Sequence, residues 1–415
     1  MRVLQFYVSA SHEDYHKARE QANESRRLFN TLNKIQYEKQ EHRKTGADTP
    51  VAQGLDIDIL SDNIEKQRKR IHKYLDIRLT QKVSQSIGRE FKSRWDTVIK
   101  QRMCGIKTGD IHYKDTYSKV IYNTQAISRR KLSTRIIPTG WKDGLQLLEH
   151  VQLHQVKAAE LKPTPDGFVL IVQYQEDKPE HQSDNLHMGA GDIGIDNLLT
   201  IITTSGDRPK NVSGKLLKSK NRYYNKKIAQ LISRRDKCTG IIQKHSYQKQ
   251  VNRLWYSRKK EFHHIMHSIS NEIVRYLTSQ KVGEFVIGWN TGIKQNTRLG
   301  KRNNQHFAYM PLAEFREMLI YKLTDAGIHV TVTEESYTSK SSFIDGDELP
   351  MYNKHNHDKH TFSGRRISRG MYKSADGTLI HADVNAAWNI LRKCKPSIGW
   401  SSGVIVTPER LKVTL

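Results

Sequence analysis

The sequence predicts an α/β layer fold in its C-terminal half, preceded by a basic helical lobe and a small antiparallel barrel or sheet. Three observations carry this. From about residue 193 onward, strand-like and helix-like segments alternate; helix formers run from about His12 to Glu41, with Leu28, Leu32 and Ile35 at helical spacing; and near Ile136 the apolar period changes from helical to strand-like.

In chain order, Val3, Leu4, Phe6 and Val8 alternate as a short strand, and the helical run from His12 follows. Lys44 to Pro50 reads as a loop, and a second helical stretch spans about Ile57 to Lys100, its exposed positions dominated by Lys and Arg. Val151, Leu153 and Val156 read as a strand, as does Phe168 to Tyr174, with Pro165-Asp166-Gly167 turning between them. The polar run Glu176 to Asp184 reads as a linker. Beyond it, Ile193 to Thr203 is a strand ending at Ser205-Gly206-Asp207, and Ser213 to Thr278 forms one or two long basic helices. Phe285-Val286-Ile287 is a buried strand, Leu312 to Ala326 a helix, Ile328 to Thr333 a strand and Asp383 to Arg392 a helix, with no internal repeat.

At 415 residues the chain can bury more than one core. Its 69 Lys and Arg against 43 Asp and Glu give a formal charge of +26, spread along the sequence, a field that condenses polyanions. Nucleic acid is therefore the expected partner and a membrane is not. No apolar run is long enough to span a bilayer, and the N-terminus lacks the apolar core of a signal peptide, so a soluble intracellular protein is expected: cytoplasmic and nucleoid-associated in a prokaryote, nuclear in a eukaryote. Cys104, Cys238 and Cys394 stand apart with no CxxC, which argues against a disulfide framework and a cysteine zinc site.

Two acids stand out. Asp192 sits among apolar residues between Gly191 and Gly194, where a carboxylate is costly unless it meets a cation or a donor. Asp383 opens a helix followed by Asn385-Ala386-Ala387-Trp388, a position where an N-cap is the commonest role. Asp196 reads equally well as a solvated strand end. Phosphodiester hydrolysis by paired Mg²⁺ needs several hard carboxylate ligands brought together.

The run Asp192-Ile193-Gly194-Ile195-Asp196-Asn197-Leu198, then Phe262 and His267-Ser268-Ile269-Ser270, Tyr321-Lys322, Gly327, Tyr337-Thr338-Ser339 and Asp383-Val384-Asn385-Ala386-Ala387-Trp388-Asn389-Ile390 resembles, in order, the TnpB family. These are transposon-encoded RNA-guided nucleases related to Fanzor proteins and to type V CRISPR effectors. The resemblance covers about Gly189 to Lys393, whereas the N-terminal half is similar only in layout. It implies an RNase H-like (RuvC) nuclease domain and an N-terminal lobe made of a β-barrel wedge domain with a helical recognition insertion. The corresponding boundaries are 1–12 wedge, 13–130 recognition insertion, 131–188 wedge and linker, 189–340 nuclease, 341–380 an insert at the zinc-ribbon position and 381–415 the last nuclease helix and tail. It further implies a guide RNA, target double-stranded DNA next to a short adjacent motif, and Mg²⁺ held at a two-metal site. Phosphate contacts are expected from Lys66, Arg68 and Arg70, from Lys215, Lys218, Lys220, Arg222, Lys226 and Lys227, and from Arg258.

The chain departs from that pattern twice. Where the family places its middle glutamate, closing the strand at Phe285-Val286-Ile287, this sequence has Gly288. Glu334 and Glu335, at the end of the next strand, can take over, as in a subset of TnpB proteins and in Fanzor proteins; alternation lets only one of them face Asp192, and Glu335 is preferred. The expected catalytic set is thus Asp192, Glu335 or Glu334, and Asp383, with Asp192, Glu335 and Asp383 on the metal. Second, Ser342 and Asp345-Gly346 stand where the family's first zinc-ribbon cysteines would be, and His355, His357 and His360 share one loop, so structural zinc is not expected. A nuclease-dead RNA-guided DNA-binding repressor, and a guide-free nucleic-acid-binding accessory protein, are the competing functions.

Overall fold

The structure is a computed structural model and describes residues 2–46, 50–128, 134–148, 151–175, 186–290, 309–351, 360–368, 370–399 and 407–413. The polar linker (176–184), His355 and His357 lie outside the described residues. The chain divides into two compact units, Met1–Asp177 and Lys178–Leu415.

The first unit contains β1 (Arg2–Val8), α1 (Tyr15–Thr45), α2 (Pro50–Gly54), α3 (Ile64–Tyr74), α4 (Gln81–Met103), β2 (Val120–Asn123), β3 (Arg135–Ile136), β4 (Leu145–Gln146), β5 (Val156–Thr164) and β6 (Gly167–Tyr174). Among the described residues the expected barrel is an open antiparallel sheet in the order β1-β6-β5-β2, with β3 and β4 paired separately. Leu28, Leu32 and Ile35 are fully buried on one face of α1, and Phe29 meets Phe91 edge to face at 5.2 Å. The helix expected over 57–100 is interrupted. The Asn63 side chain caps α3 by accepting the Lys66 amide, and Asp76 turns the chain with φ 46°, which lets Ile77 and Leu79 enter the core before α4 starts. The strand expected from Val151 begins only at Val156, because a single 3-10 turn occupies Leu153–Gln155.

The second unit contains β7 (His187–Asp192), β8 (Asn197–Thr203), β9 (Lys210–Ser213), α5 (Lys215–Lys237), α6 (Ile241–Ser279), β10 (Val282–Gly288), α7 (Leu312–Asp325), β11 (His329–Thr333), β12 (Arg365–Arg366), β13 (Met371–Lys373), β14 (Leu379–His381), α8 (Ala382–Cys394) and β15 (Glu409–Arg410). One sheet runs β11-β10-β7-β8-β9-β15, with β12-β13-β14 forming a small sheet of their own. β10 is parallel to both β7 and β11, whereas β7-β8-β9 form an antiparallel meander. Strand periodicity sorts the two faces. Ala190, Ile202 and Val286 pack with Val384, Ala387 and Ile390 of α8, while Ile201, Phe285 and Ile287 join Phe262 and Ile269 of α6 and Phe315 and Leu319 of α7 in the other core.

The strand expected over Ile193–Thr203 is instead the second half of a hairpin. Asp192 ends β7, residues 193–196 turn, and the Gly194 amide donates to the Leu198 carbonyl at 3.3 Å. A Cβ on Gly194 would lie 2.6 Å from the Asn197 carbonyl oxygen, so the turn requires glycine. The motif pair from the α6 and α7 region also acquires a physical role: the Lys322 ammonium donates to the His267 carbonyl, to Ser270 Oγ and to Asn271 Oδ1 at 2.7–2.9 Å, clamping α7 to α6.

Candidate functional site

Asp192 stands two residues beyond Ala190 in β7, so it faces α8. Asp383 lies in the first turn of that helix, but it is not the cap. His381 is the N-cap residue and its Nδ1 accepts the Asp383 amide at 3.3 Å, which leaves the Asp383 carboxylate available to the site. Asn197, the first residue of β8, donates its amide to Asp383 Oδ2 at 2.8 Å and so ties the first hairpin to the last helix. Asp196 points elsewhere and pairs with Lys218 at 2.6 Å.

Gly288 ends β10 opposite Thr333 of β11. A Cβ built there would lie 2.5 Å from Ile390 Cδ1, 2.9 Å from Ile390 Cγ1 and 3.2 Å from the Cβ of Glu335. The side chain of Glu335 therefore starts in tight contact with where a residue at 288 would have started its own, and Ile390 fills the rest of that space. Its neighbour goes the other way: Glu334 Oε2 receives the Lys393 ammonium at 2.6 Å and Oε1 accepts the Ser336 amide at 2.7 Å. The turn after Glu335 is closed by Thr338, whose hydroxyl donates to the Glu335 carbonyl at 2.8 Å, and Asn389 of α8 donates to the Thr338 carbonyl at 2.9 Å.

Electrostatics bind Asp192, Glu335 and Asp383 into one cluster. Burial, then repulsion from Glu335 and from Asp383, pushes the Asp192 carboxyl up to about 8 against a weak lowering by Arg366. Burial, then the charge of Glu334, raises Glu335 to about 7, with Lys393 opposing. Acids held this far above the ordinary carboxylate range form a site short of positive charge, which suits a hard cation. Among the described residues, no three Asp, Glu, His or Cys side chains are gathered as tightly as a metal ion holds its ligands. The oxygen donors match a hard divalent cation in type and charge but not in spacing.

A cationic group also reaches the cluster. Arg366, on β12, places its guanidinium 3.6 Å from Asp383 Oδ1 while 43% of the side chain stays exposed. Nothing in Arg365-Arg366 marked it as a site residue, because the bend that brings β12 beside α8 is tertiary.

The expected phosphate contacts divide. Lys215, Arg222, Lys226 and Lys227 are exposed on α5, and Lys66 is largely exposed on α3. Lys218 and Lys220 are half-exposed and paired with Asp196 and Glu261, and Arg70 pairs with Asp56 and Asp62. Two are corrections. Arg68 is 2% exposed, hydrogen-bonded to Glu65, Gln81 and Ser84, and Arg258 is 8% exposed, bonded to Asn221 and the Tyr309 carbonyl with Phe262 4.3 Å beneath it. Both serve packing, because the apolar neighbours that surround their helices were invisible to a charge count.

At the zinc-ribbon position, Ser342 donates its amide to Asp347 at 2.7 Å, and the Asp345 carboxylate accepts the Ala375 amide at 3.0 Å, joining the two arms of the insert through hydrogen bonds. His360 packs edge-on against Tyr337. Buried Asn385 secures the same arm to α8, accepting the Phe343 amide and donating to the Ser341 carbonyl.

The OrfB_IS605 family, described as a probable transposase, matches residues 171–294, and the Cas12f1-like TNB domain matches residues 313–390. The first span holds Asp192, Asn197 and Gly288; the second holds Glu334, Glu335, Arg366 and Asp383. Among solved structures, a Cas12f1–sgRNA–target DNA complex is similar with a TM-score of 0.51 at 16% identity, covering 91% of this chain and 82% of that one, a likeness of fold. A CRISPR-Cas12f ternary complex (TM-score 0.38, 14% identity, covering 91% of this chain and 81% of that one) and Alicyclobacillus acidoterrestris C2c1 with single-guide RNA (0.31, 10%, 92% and 69%) are more distant. No curated protein matches the chain by sequence. Two family matches that between them hold every residue of the carboxylate cluster, on a TnpB/Cas12-like fold, make the chain similar to a TnpB-like family related to type V effectors.

Proposed function

We propose that the chain is an RNA-guided DNA endonuclease of the TnpB type, cutting target DNA beside a short adjacent motif by two-metal-ion phosphodiester hydrolysis. The observation that carries this reading is the Cβ of Glu335, 3.2 Å from where a side chain at position 288 would begin; with the repulsion that Asp192 feels from Glu335 and Asp383, it supports Glu335 as the third carboxylate. Mg²⁺ bound by these three would supply an activated water and neutralise charge on the leaving oxygen. The chain's own groups do the rest. Asn197 orients Asp383, His381 fixes the first turn of α8 through the Asp383 amide, and Arg366 offers a guanidinium to the phosphate beside Asp383.

In this reading the first unit is the wedge domain with its recognition insertion, the second is the RuvC-like nuclease, and the exposed cations of α5 hold nucleic-acid backbone. The related family and the Cas12f1 complex, with its guide RNA and target DNA, support guide and target as partners. Among the described residues no helix is long and apolar enough to cross a membrane. A second reading, an RNA-guided DNA-binding repressor without cleavage, draws on Gly288 and on the absence of a tightly gathered ligand trio among the described residues.

The deciding assay purifies the chain with RNA co-expressed from its own flanking sequence and offers a plasmid library with a randomised flank in Mg²⁺. Cleavage beside one enriched flank, abolished by Asp192→Asn and by Glu335→Gln, is the expected result. Sequence-specific binding without a cut selects the repressor. Binding with no discrete RNA and no target preference refutes both.

A further inference from the structure

Two adjacent glutamates follow β11, and one of them must reach the Asp192 side of the sheet while the other stays away. Pleating turns successive side chains to opposite faces. Strand pairing stops at Thr333, however, so the ladder does not hold Glu334 and Glu335 in that alternation. What holds it comes from α8. Lys393 stands three residues beyond Ile390, the neighbouring position along that helix, and is 7% exposed; its ammonium lies 2.6 Å from Glu334 Oε2, whose side chain is 33% exposed. The second Glu334 oxygen is taken by the Ser336 amide, and the Glu335 amide donates to Asn290 Oδ1 at 3.2 Å. One helix thus supplies Asp383 to the cluster, Ile390 against Gly288, and Lys393 against the acid that must be kept out.

We propose that Lys393 is a positioning residue for Glu335: by holding Glu334 in an ion pair on the far side of the turn, it selects which of the two adjacent glutamates joins Asp192 and Asp383 at the cation site. This rests on the endonuclease reading above. A lysine this buried cannot be left without an acid, nor Glu334 without a cation, so each fixes the other. If Glu334 loses its charge, the acid left for Lys393 is Glu335, which already feels the ammonium. If Lys393 loses its charge, Glu334 is released as a second carboxylate beside Glu335, repelling it and competing for the metal. Each single change therefore harms the site, and the two together spare it.

The test uses the full chain with its co-purified RNA and measures Mn²⁺ binding by titration calorimetry, with Asp192→Asn as the blank for metal taken up by RNA, alongside plasmid cleavage. Lys393→Met and Glu334→Gln singly are expected to weaken site-specific Mn²⁺ binding by about 10–100-fold, the usual effect of losing a group that orients a metal ligand. Lys393→Arg is expected to retain binding. The double variant Glu334→Gln/Lys393→Met, which keeps the lysine's apolar stem and removes both charges, is expected to recover most of the loss in binding and in cleavage. A double variant that melts like wild type yet binds as weakly as Lys393→Met assigns the lysine to packing and overturns the proposal, as does a Lys393→Met chain that binds Mn²⁺ normally. A wild-type chain that binds no Mn²⁺ above the Asp192→Asn blank overturns the endonuclease reading, and this inference with it.

Discussion

Gly288→Ala isolates the packing argument for the displaced carboxylate from its chemistry. Gly288 has no positive φ, so alanine fits its backbone, and replacing a strand glycine by alanine is otherwise worth roughly 0.5–1 kcal/mol of added stability. Space decides against it. The new methyl would sit 2.5 and 2.9 Å from two carbons of Ile390 and 3.2 Å from the Glu335 Cβ, where carbons prefer about 3.5–4.0 Å. Ile390 is fully buried in a helix, where a β-branched side chain has one favoured χ1, so Cγ1 at 2.9 Å is held in place even if Cδ1 turns about χ2. Overpacking costs about 1–3 kcal/mol, and two contacts under 3 Å put this case at about 2–2.5 kcal/mol, so that after the backbone gain a net loss of about 1–2 kcal/mol remains. For a unit of this size the melting temperature should fall by about 2–8 °C. Ile390→Ala alone should cost about 2–5 kcal/mol as a cavity. The double variant should lose less than the sum of the two by about 1–3 kcal/mol, because one change fills what the other empties. Denaturant melts of the four chains measure this cycle. A Gly288→Ala chain as stable as wild type, or strict additivity with Ile390→Ala, would refute the account of why position 288 carries no side chain.

The other expectations concern charge. Because Asp192 and Glu335 are raised to about 8 and about 7 in the fold, their contribution to stability is complete below their unfolded values near pH 4 and is lost as pH rises through 7 and 8. In chelator, the second unit should therefore melt lower at pH 8.5 than at pH 6; Mg²⁺ should reverse that slope and Asp192→Asn should flatten it, and a flat wild-type profile sinks the idea. Arg366→Ala should slow cleavage by roughly 10²-fold with melting unchanged, as removal of an exposed transition-state donor does, and a change in melting with no change in rate assigns Arg366 to structure. Alanines at Lys215, Arg222, Lys226 and Lys227 should flatten the dependence of log affinity on log salt by about 0.9 for every duplex phosphate they leave unneutralised. Arg258→Ala should instead lower stability by about 1–3 kcal/mol, since it orphans the acceptors of Asn221 and Tyr309.

The sequence disclosed what depends on local pattern. The strands at 285–287 and 328–333 and the helices at 312–326 and 383–392 fall within a few residues of β10, β11, α7 and α8, because each is a continuous apolar or helix-periodic run bounded by turn residues. It misread the places where a turn hides inside an apolar run. Ile193 and Ile195 look like strand, yet the space around Gly194 demands a turn, and the long basic stretch after Ile57 breaks at Asp76. Charge count also misled at Arg68 and Arg258, since their burial comes from the packing of neighbouring helices, α4 over Arg68 and α5 beside Arg258. Of the candidate site the sequence offered the acids and the motif residues Asn197 and Ile390, but not their contacts, and Arg366 and Lys393 look ordinary until the fold brings them to Asp383 and Glu334.

The proposed relocation rests on sheet geometry. β10 and β11 are parallel with Gly288 beside Thr333, so residues just past the end of β11 come within one side chain's reach of the end of β10. Such a site requires a carboxylate at a point in space, and either strand can deliver it. Once the next strand does, a side chain at 288 becomes an obstruction, and an isoleucine from α8 can close the gap; Ile390 and Glu335 together occupy the room that a residue at 288 would need. Restoring the acid at 288 should therefore fail by itself. Gly288→Glu in a Glu335→Gln chain adds a longer side chain against the same Ile390 carbons, and only with Ile390 trimmed to alanine does the space exist for the carboxylate to turn toward Asp192. Metal binding and cleavage recovered in that triple variant, and in neither lesser combination, is the outcome this geometry demands; recovery without the Ile390 change would mean that position 288 was never blocked.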